Sequence, residues 1–80
     1  MSVKDVVVAR FTHICKTRGI AINELATRSG VTPSTAYSMF DKKRQDVSIV
    51  TIKKFCDGLD ISLREFFDSD EFDNLEQEIR

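Results

Sequence analysis

Apolar residues recur along this chain at steps of three and four, in short runs broken by glycine, serine and aspartate. The first run, Val3, Val7, Phe11, Ile14 and Cys15, makes one helical stripe, with Lys4, Arg10, His13, Lys16 and Arg18 mostly outside it. Ser2 followed by Asp5 is a capping-box start, and Gly19 suits the position just past a helix end. The spacing therefore predicts a helix ending near Arg18, with Ile20 tucked back into the core.

Residues 22–40, INELATRSGVTPSTAYSMF, predict two short helices about Gly30. Leu25 and Ala26 give the first its apolar side; Ala36, Met39 and Phe40, at i, i+3 and i+4, give the second its own. The first starts near Ala21 and Ile22 without a side-chain cap, a lack worth ~1 kcal/mol relative to Ser or Thr. Gly30 can take positive φ and end it abruptly. Thr32 caps the second helix, and Pro33 at its first position loses only an amide that has no helical partner. Two helices joined by a three- or four-residue turn containing glycine make a helix-turn-helix.

The charged stretch DKKRQDV, residues 41–47, lacks periodicity and reads as a loop. Ser48 caps a fourth helix with the stripe Ile49, Ile52, Phe55, Cys56 and Leu59, which Gly58 and Asp60 end. Ser62 and Glu65 form a second capping box and open a very short fifth helix through Phe66 and Phe67. A sixth helix, DEFDNLEQEI from Asp70, has Phe72, Leu75 and Ile79 on one side. With no strand pattern and no repeat, the chain reads as all-α. The expected architecture is a compact orthogonal bundle of five short helices with a possible sixth at the C-terminal end.

Composition narrows the chemistry. Eighty residues make one domain with a thin core. Cys15 and Cys56 lie on apolar faces, with no C-x-x-C and no nearby histidine, and read as reduced core thiols. No metal and no cofactor are expected. An enzyme is not expected either: His13 is the one histidine, and neither convergent acids nor a phosphate-cradling glycine loop is present. The apolar start is too short for a signal peptide, and nothing approaches the ~18 residues of a membrane span. The expectation is a cytoplasmic protein without membrane contact.

The net charge of −1 hides an asymmetry. Residues 1–67 hold eleven Lys/Arg against seven Asp/Glu, a balance of +4; residues 68–80 hold one Arg against six acids, a balance of −5. A basic body that can attract phosphate precedes an acidic tail. The expected division is a helix-turn-helix domain over 1–67, with the motif at 22–40, and an acidic tail or short helix over 68–80.

The run from about 7 to 67 resembles the helix-turn-helix domain of the Cro/C1-type (XRE) family of bacterial and phage transcriptional regulators. Leu25-Ala26, Gly30-Val31-Thr32, Ser34-Thr35 and the segment IVTIKKFCDGLDISLREFF at 49–67 carry the resemblance. That last segment is the more specific half, since it sets helix 4, its end and the capped helix 5 in one register. The resemblance implies a lambda-repressor-like fold that binds double-stranded DNA with helix 3 in the major groove and represses by occupying an operator. Thr32, Pro33, Ser34, Tyr37 and Ser38 match its base-facing positions. Lys42, Lys43 and Arg44 match the loop that runs along the backbone, with Arg28 and the Thr35 hydroxyl as further phosphate contacts.

The family usually binds palindromic sites as homodimers. Phe67, Phe72, Leu75 and Ile79 therefore have two readings: a sixth helix folded back on the core, or a two-fold dimer contact. Ile22 stands where the family usually has a phosphate-binding Gln, Lys42 where it has Gly, and Asp46-Val47 where Asn-Pro is frequent. Cys15 and Phe40 occupy positions where several members pair Arg with Glu. Helix 3 also lacks the Arg or Gln that reads guanine or adenine bidentately. That lack and the acidic tail favour a rival reading: an antitoxin-like or partner-binding module with a protein partner and weak or no specific DNA binding. The basic run at 42–44 favours DNA.

Overall fold

The computed structural model describes residues 2–41, 43 and 46–75, which form α1 (Val3–Arg18), α2 (Ile22–Ser29), α3 (Pro33–Phe40), α4 (Ile49–Leu59), α5 (Leu63–Phe67) and α6 (Asp70–Asp73). The described residues contain no strand. Helix starts follow the caps. Ser2 Oγ accepts the Asp5 amide at 3.1 Å and Asp5 returns a carboxylate to the Ser2 amide at 2.9 Å, which holds its pKa below the usual carboxylate range. Ser62 and Glu65 repeat this box at 3.0 and 3.4 Å. Ser48 Oγ accepts from the Val50 amide at 3.1 Å, and α2 starts at Ala21 with no side-chain cap.

Three helix ends share one geometry. After α1, α2 and α4 the chain passes through a left-handed residue, Gly19 (φ 67°), Gly30 (φ 68°) and Asp60 (φ 58°). The amide of the next residue then reaches back into the last turn: Ile20 to the Cys15 carbonyl (2.9 Å), Val31 to Ala26 (3.0 Å) and Ile61 to Cys56 (3.0 Å). These are Schellman ends, and each sends an apolar residue back onto the core.

The core runs through every helix from α1 to α5. Val7, Phe11 and Cys15 meet Leu25, Ala26, Val31, Ala36 and Met39 on one side and Ile52, Phe55, Cys56 and Leu59 on the other. Phe66 closes it, fully buried, its ring centroid 4.3 Å from that of Phe11. Two arginines of α1 hold the far ends in place. Arg10 donates to the Glu65 and Phe66 carbonyls, both at 2.9 Å, and Arg18 donates to the Leu59 carbonyl. Both cysteines are free and buried, and burial raises both thiols, Cys56 to about 11.

The structure departs from the sequence expectation in four places. Val3 is exposed, while Val6 and Lys4 are buried in the first turn of α1. Ile49 is exposed, because it sits in the first turn of α4, short of the core residues that begin at Ile52. Gly58 does not end α4 but lies inside it, and the helix stops at Asp60. The sixth helix is one turn long, Asp70–Asp73, so Leu75 falls outside it; Ile79 lies outside the described residues. Phe72 does fold back, its ring 4.9 Å from Phe67 and 5.9 Å from Phe66. No helix among the described residues is long and apolar enough to cross a membrane.

Candidate nucleic-acid interface

Two buried residues decide what α3 displays. Ala36 and Met39 are inward and Phe40 is half-buried against the core, so Pro33, Ser34, Thr35 and Tyr37 are left exposed, with Ser38 half-exposed. Ala36 offers a single methyl and Ala26 another, which permits the close α2–α3 crossing, and Val31 fills the corner at 7% exposure. The helix start is tightly organised. Thr32 Oγ1 accepts the Thr35 amide at 3.3 Å, donates to Thr35 Oγ1 at 2.9 Å and lies 3.3 Å from Ser34 Oγ. The Thr32 hydroxyl is thus committed to capping, and its methyl is what remains for a ligand.

Tyr37 stands 63% exposed, its phenol donating to Asn23 Oδ1 at 3.5 Å. Arg28 is exposed but paired with Glu24 at 3.3 Å, one turn earlier on α2. Lys43 is exposed, and its amide is held by Asp41 Oδ1 at 3.0 Å; Lys42 and Arg44 lie outside the described residues. Lys53 is paired with Asp57, while Lys54 is exposed. A shallow groove of about 180 Å³ separates α3 from the start of α4, lined by Thr35, Ser38, Met39, Asp46, Val47, Ser48 and Thr51.

The surface of α3 is therefore polar and uncharged, a row of hydroxyls with one phenol, flanked by cations. Hydroxyls can donate or accept and fit either base type. No three or more His, Cys, Asp and Glu among the described residues converge as a metal cluster would. Sequence reading missed Asn23 and Thr51. Their signal is tertiary: α2 brings Asn23 to Tyr37, and Thr51 of α4 lines the same groove as Ser38.

The model of the Cro/C1-type HTH DNA-binding domain matches residues 10–70. The chain belongs to the Cro/C1-type helix-turn-helix family. The matched span takes in the whole motif and the α4–α5 corner, and the all-helical architecture is that of the family. The domain is similar to the crystal structure of the prophage Lp1 protein 11, with a TM-score of 0.84 and 29% identity over 94% of this chain and 100% of that one. No curated protein matches the sequence. In this Cro/C1-type domain α2 and α3 are joined through the Gly30 turn, and the outer side of α3 is exposed.

Proposed function

We propose that this protein is a transcriptional repressor that occupies an operator in double-stranded DNA, with α3 in the major groove. The observation that carries this reading is the exposed, uncharged side of α3, set by buried Ala36 and Met39 inside a Cro/C1-type domain. In this reading Pro33, Ser34, Tyr37, Ser38 and the Thr32 methyl are the base contacts; Lys42, Lys43, Arg44, Arg28 and the Thr35 hydroxyl are the phosphate contacts. Arg28 must leave Glu24 to do so, a small step for an exposed pair. The unit that binds is residues 1–67, and it acts as a two-fold dimer in the cytoplasm, with no catalytic role. The acidic residues beyond 67 keep the protein from clinging to any duplex, while Phe67 and Phe72 pack at home.

A random-site selection at low salt tests this, followed by fluorescence anisotropy on the selected duplex. A recovered palindrome and a binding constant that falls steeply with salt are expected. Ser34→Ala or Ser38→Ala should change the preferred site, whereas Lys43→Ala should weaken all sequences alike. Selection without any sequence preference, by the full chain and by a chain ending at Ser69, would sink the repressor assignment. The second reading, a protein-binding module on the same fold, draws on Tyr37, Ile49 and Val50, all more than half exposed. A chain that selects no site would favour it.

A further inference from the structure

Lys4 is the one charged side chain that the described residues bury, at 4% exposure, and it meets the far end of α3. Its Nζ donates to the backbone carbonyl of Asp41, 37 residues along the chain. Asp41 is where α3 stops: its amide bonds the Ser38 carbonyl at 3.2 Å and its backbone has turned extended. Its Oδ1 accepts the Lys43 amide at 3.0 Å. Three links thus converge on Asp41: the last turn of α3, an ammonium from α1 and the basic loop.

Filling space does not account for this arrangement. Taking an ammonium out of water is costly unless good acceptors replace the water, and a methionine would occupy much the same volume without that penalty. The acceptor here is well matched. A backbone carbonyl bonds a charged donor more strongly than a neutral one. Where α1, α2 and α4 close their own ends with a left-handed residue, α3 ends extended. Lys4 brings a donor to that end from another helix.

We propose that Lys4 is a positioning residue for DNA binding. It fixes Asp41 and, through the Asp41 carboxylate, the Lys43 amide, so that Lys43 meets phosphate in one pose. The inference rests on the DNA-binding reading above. It gives the N-terminal turn of α1 control over the register between base-facing and phosphate-facing groups.

The test uses the full chain and anisotropy on the selected duplex across a salt series, with thermal unfolding to confirm that each variant folds. Lys4→Met should bind roughly three- to tenfold more weakly and flatten the salt slope by about one phosphate contact, as Lys43→Ala does. The double variant should be no flatter than either single, and Lys4→Arg should keep the wild-type slope. Asp41→Ala separates positioning from bulk charge: losing an acid near phosphate should tighten binding by electrostatics alone, yet here it should weaken it. Exchange of the Lys43 amide should speed up in Lys4→Met and Asp41→Ala without DNA. Should Lys4→Met not fold, Asp41→Ala and the amide exchange carry the test. A wild-type slope in folded Lys4→Met, additive losses in the double variant, or tighter binding by Asp41→Ala overturns the inference while wild-type binding stands. A wild-type chain that binds no duplex overturns the DNA reading itself.

Discussion

Ser29, the last residue of α2, and Gly58, inside α4, meet so closely that a Cβ on Gly58 would stand 3.2 Å from both the Cβ and the amide nitrogen of Ser29, and closer still to its Oγ. The Ser29 hydroxyl is itself buried without a hydrogen-bond partner. Gly58→Ala gains up to ~1 kcal/mol of helix propensity but must force the two helices apart, so a net loss of about 1–3 kcal/mol is expected. Ser29→Ala should stabilise by about 1 kcal/mol, since it removes a desolvated, unpaired hydroxyl. It should also recover part of the Gly58→Ala loss. Equal cost of Gly58→Ala in both backgrounds, by urea denaturation, would show that the two residues are not coupled.

Asp60 occupies the left-handed position that Gly19 and Gly30 fill elsewhere. A side chain there costs about 1–2 kcal/mol in backbone sterics, and an acid at a helix C-terminus opposes the dipole. Asp60→Gly should therefore stabilise by ~0.5–1 kcal/mol after the greater entropy of an unfolded glycine is counted. Gly30→Ala should do the reverse through its backbone alone, since no atom lies within 4 Å of the added Cβ. A lower melting temperature for Asp60→Gly would contradict the argument.

The Cys56 thiol, pushed up to about 11 by burial and secondarily by Asp57, makes stability depend on alkaline pH. The folded chain keeps the proton that the unfolded chain loses near pH 9, so stability is full below about 9 and falls as pH rises toward about 11. Cys15, raised as well, acts in the same direction. Urea midpoints measured through this window should drop less steeply for Cys56→Ala than for wild type, although the variant starts lower for want of the sulfur. Parallel curves would remove Cys56 from the explanation.

Phe66 and Phe72 should differ in cost. Phe66 is fully buried among Phe11, Phe67 and Phe72, and its replacement by alanine should cost about 3–5 kcal/mol. Phe72 is half-buried, and about 1–2 kcal/mol is expected for Phe72→Ala. An unchanged melting temperature for Phe72→Ala would mean that α6 does not dock in solution.

Most of the fold was legible because caps and stripes are local signals. Ser2, Thr32, Ser48 and Ser62 marked four helix starts, and Gly19 and Gly30 marked two ends. What local signals could not carry was the approach of distant chain. Lys4 is buried because the end of α3 passes over it, and the stripe that favoured Val3 knows nothing of Asp41. Gly58 read as a stop because glycine is a poor helix residue; only the nearness of Ser29 explains its place inside α4. The exposed residues of α3 were legible as the complement of Ala36 and Met39, but the commitment of the Thr32 hydroxyl to Thr35 and the partner of Tyr37 were not.

Ser34 and Tyr37 are exposed and Ser38 is half-exposed, outside the buried core, and the side-chain cap of their helix is Thr32. If α3 reads DNA as proposed, target preference and foldability are written at separate positions. An Arg or Gln placed at 34, 37 or 38 can give α3 a bidentate base reader while Ala36 and Met39 go on anchoring it. On the DNA-binding reading, the preferred site could then be changed by surface substitution alone, with the packing of Ala36 and Met39 left intact.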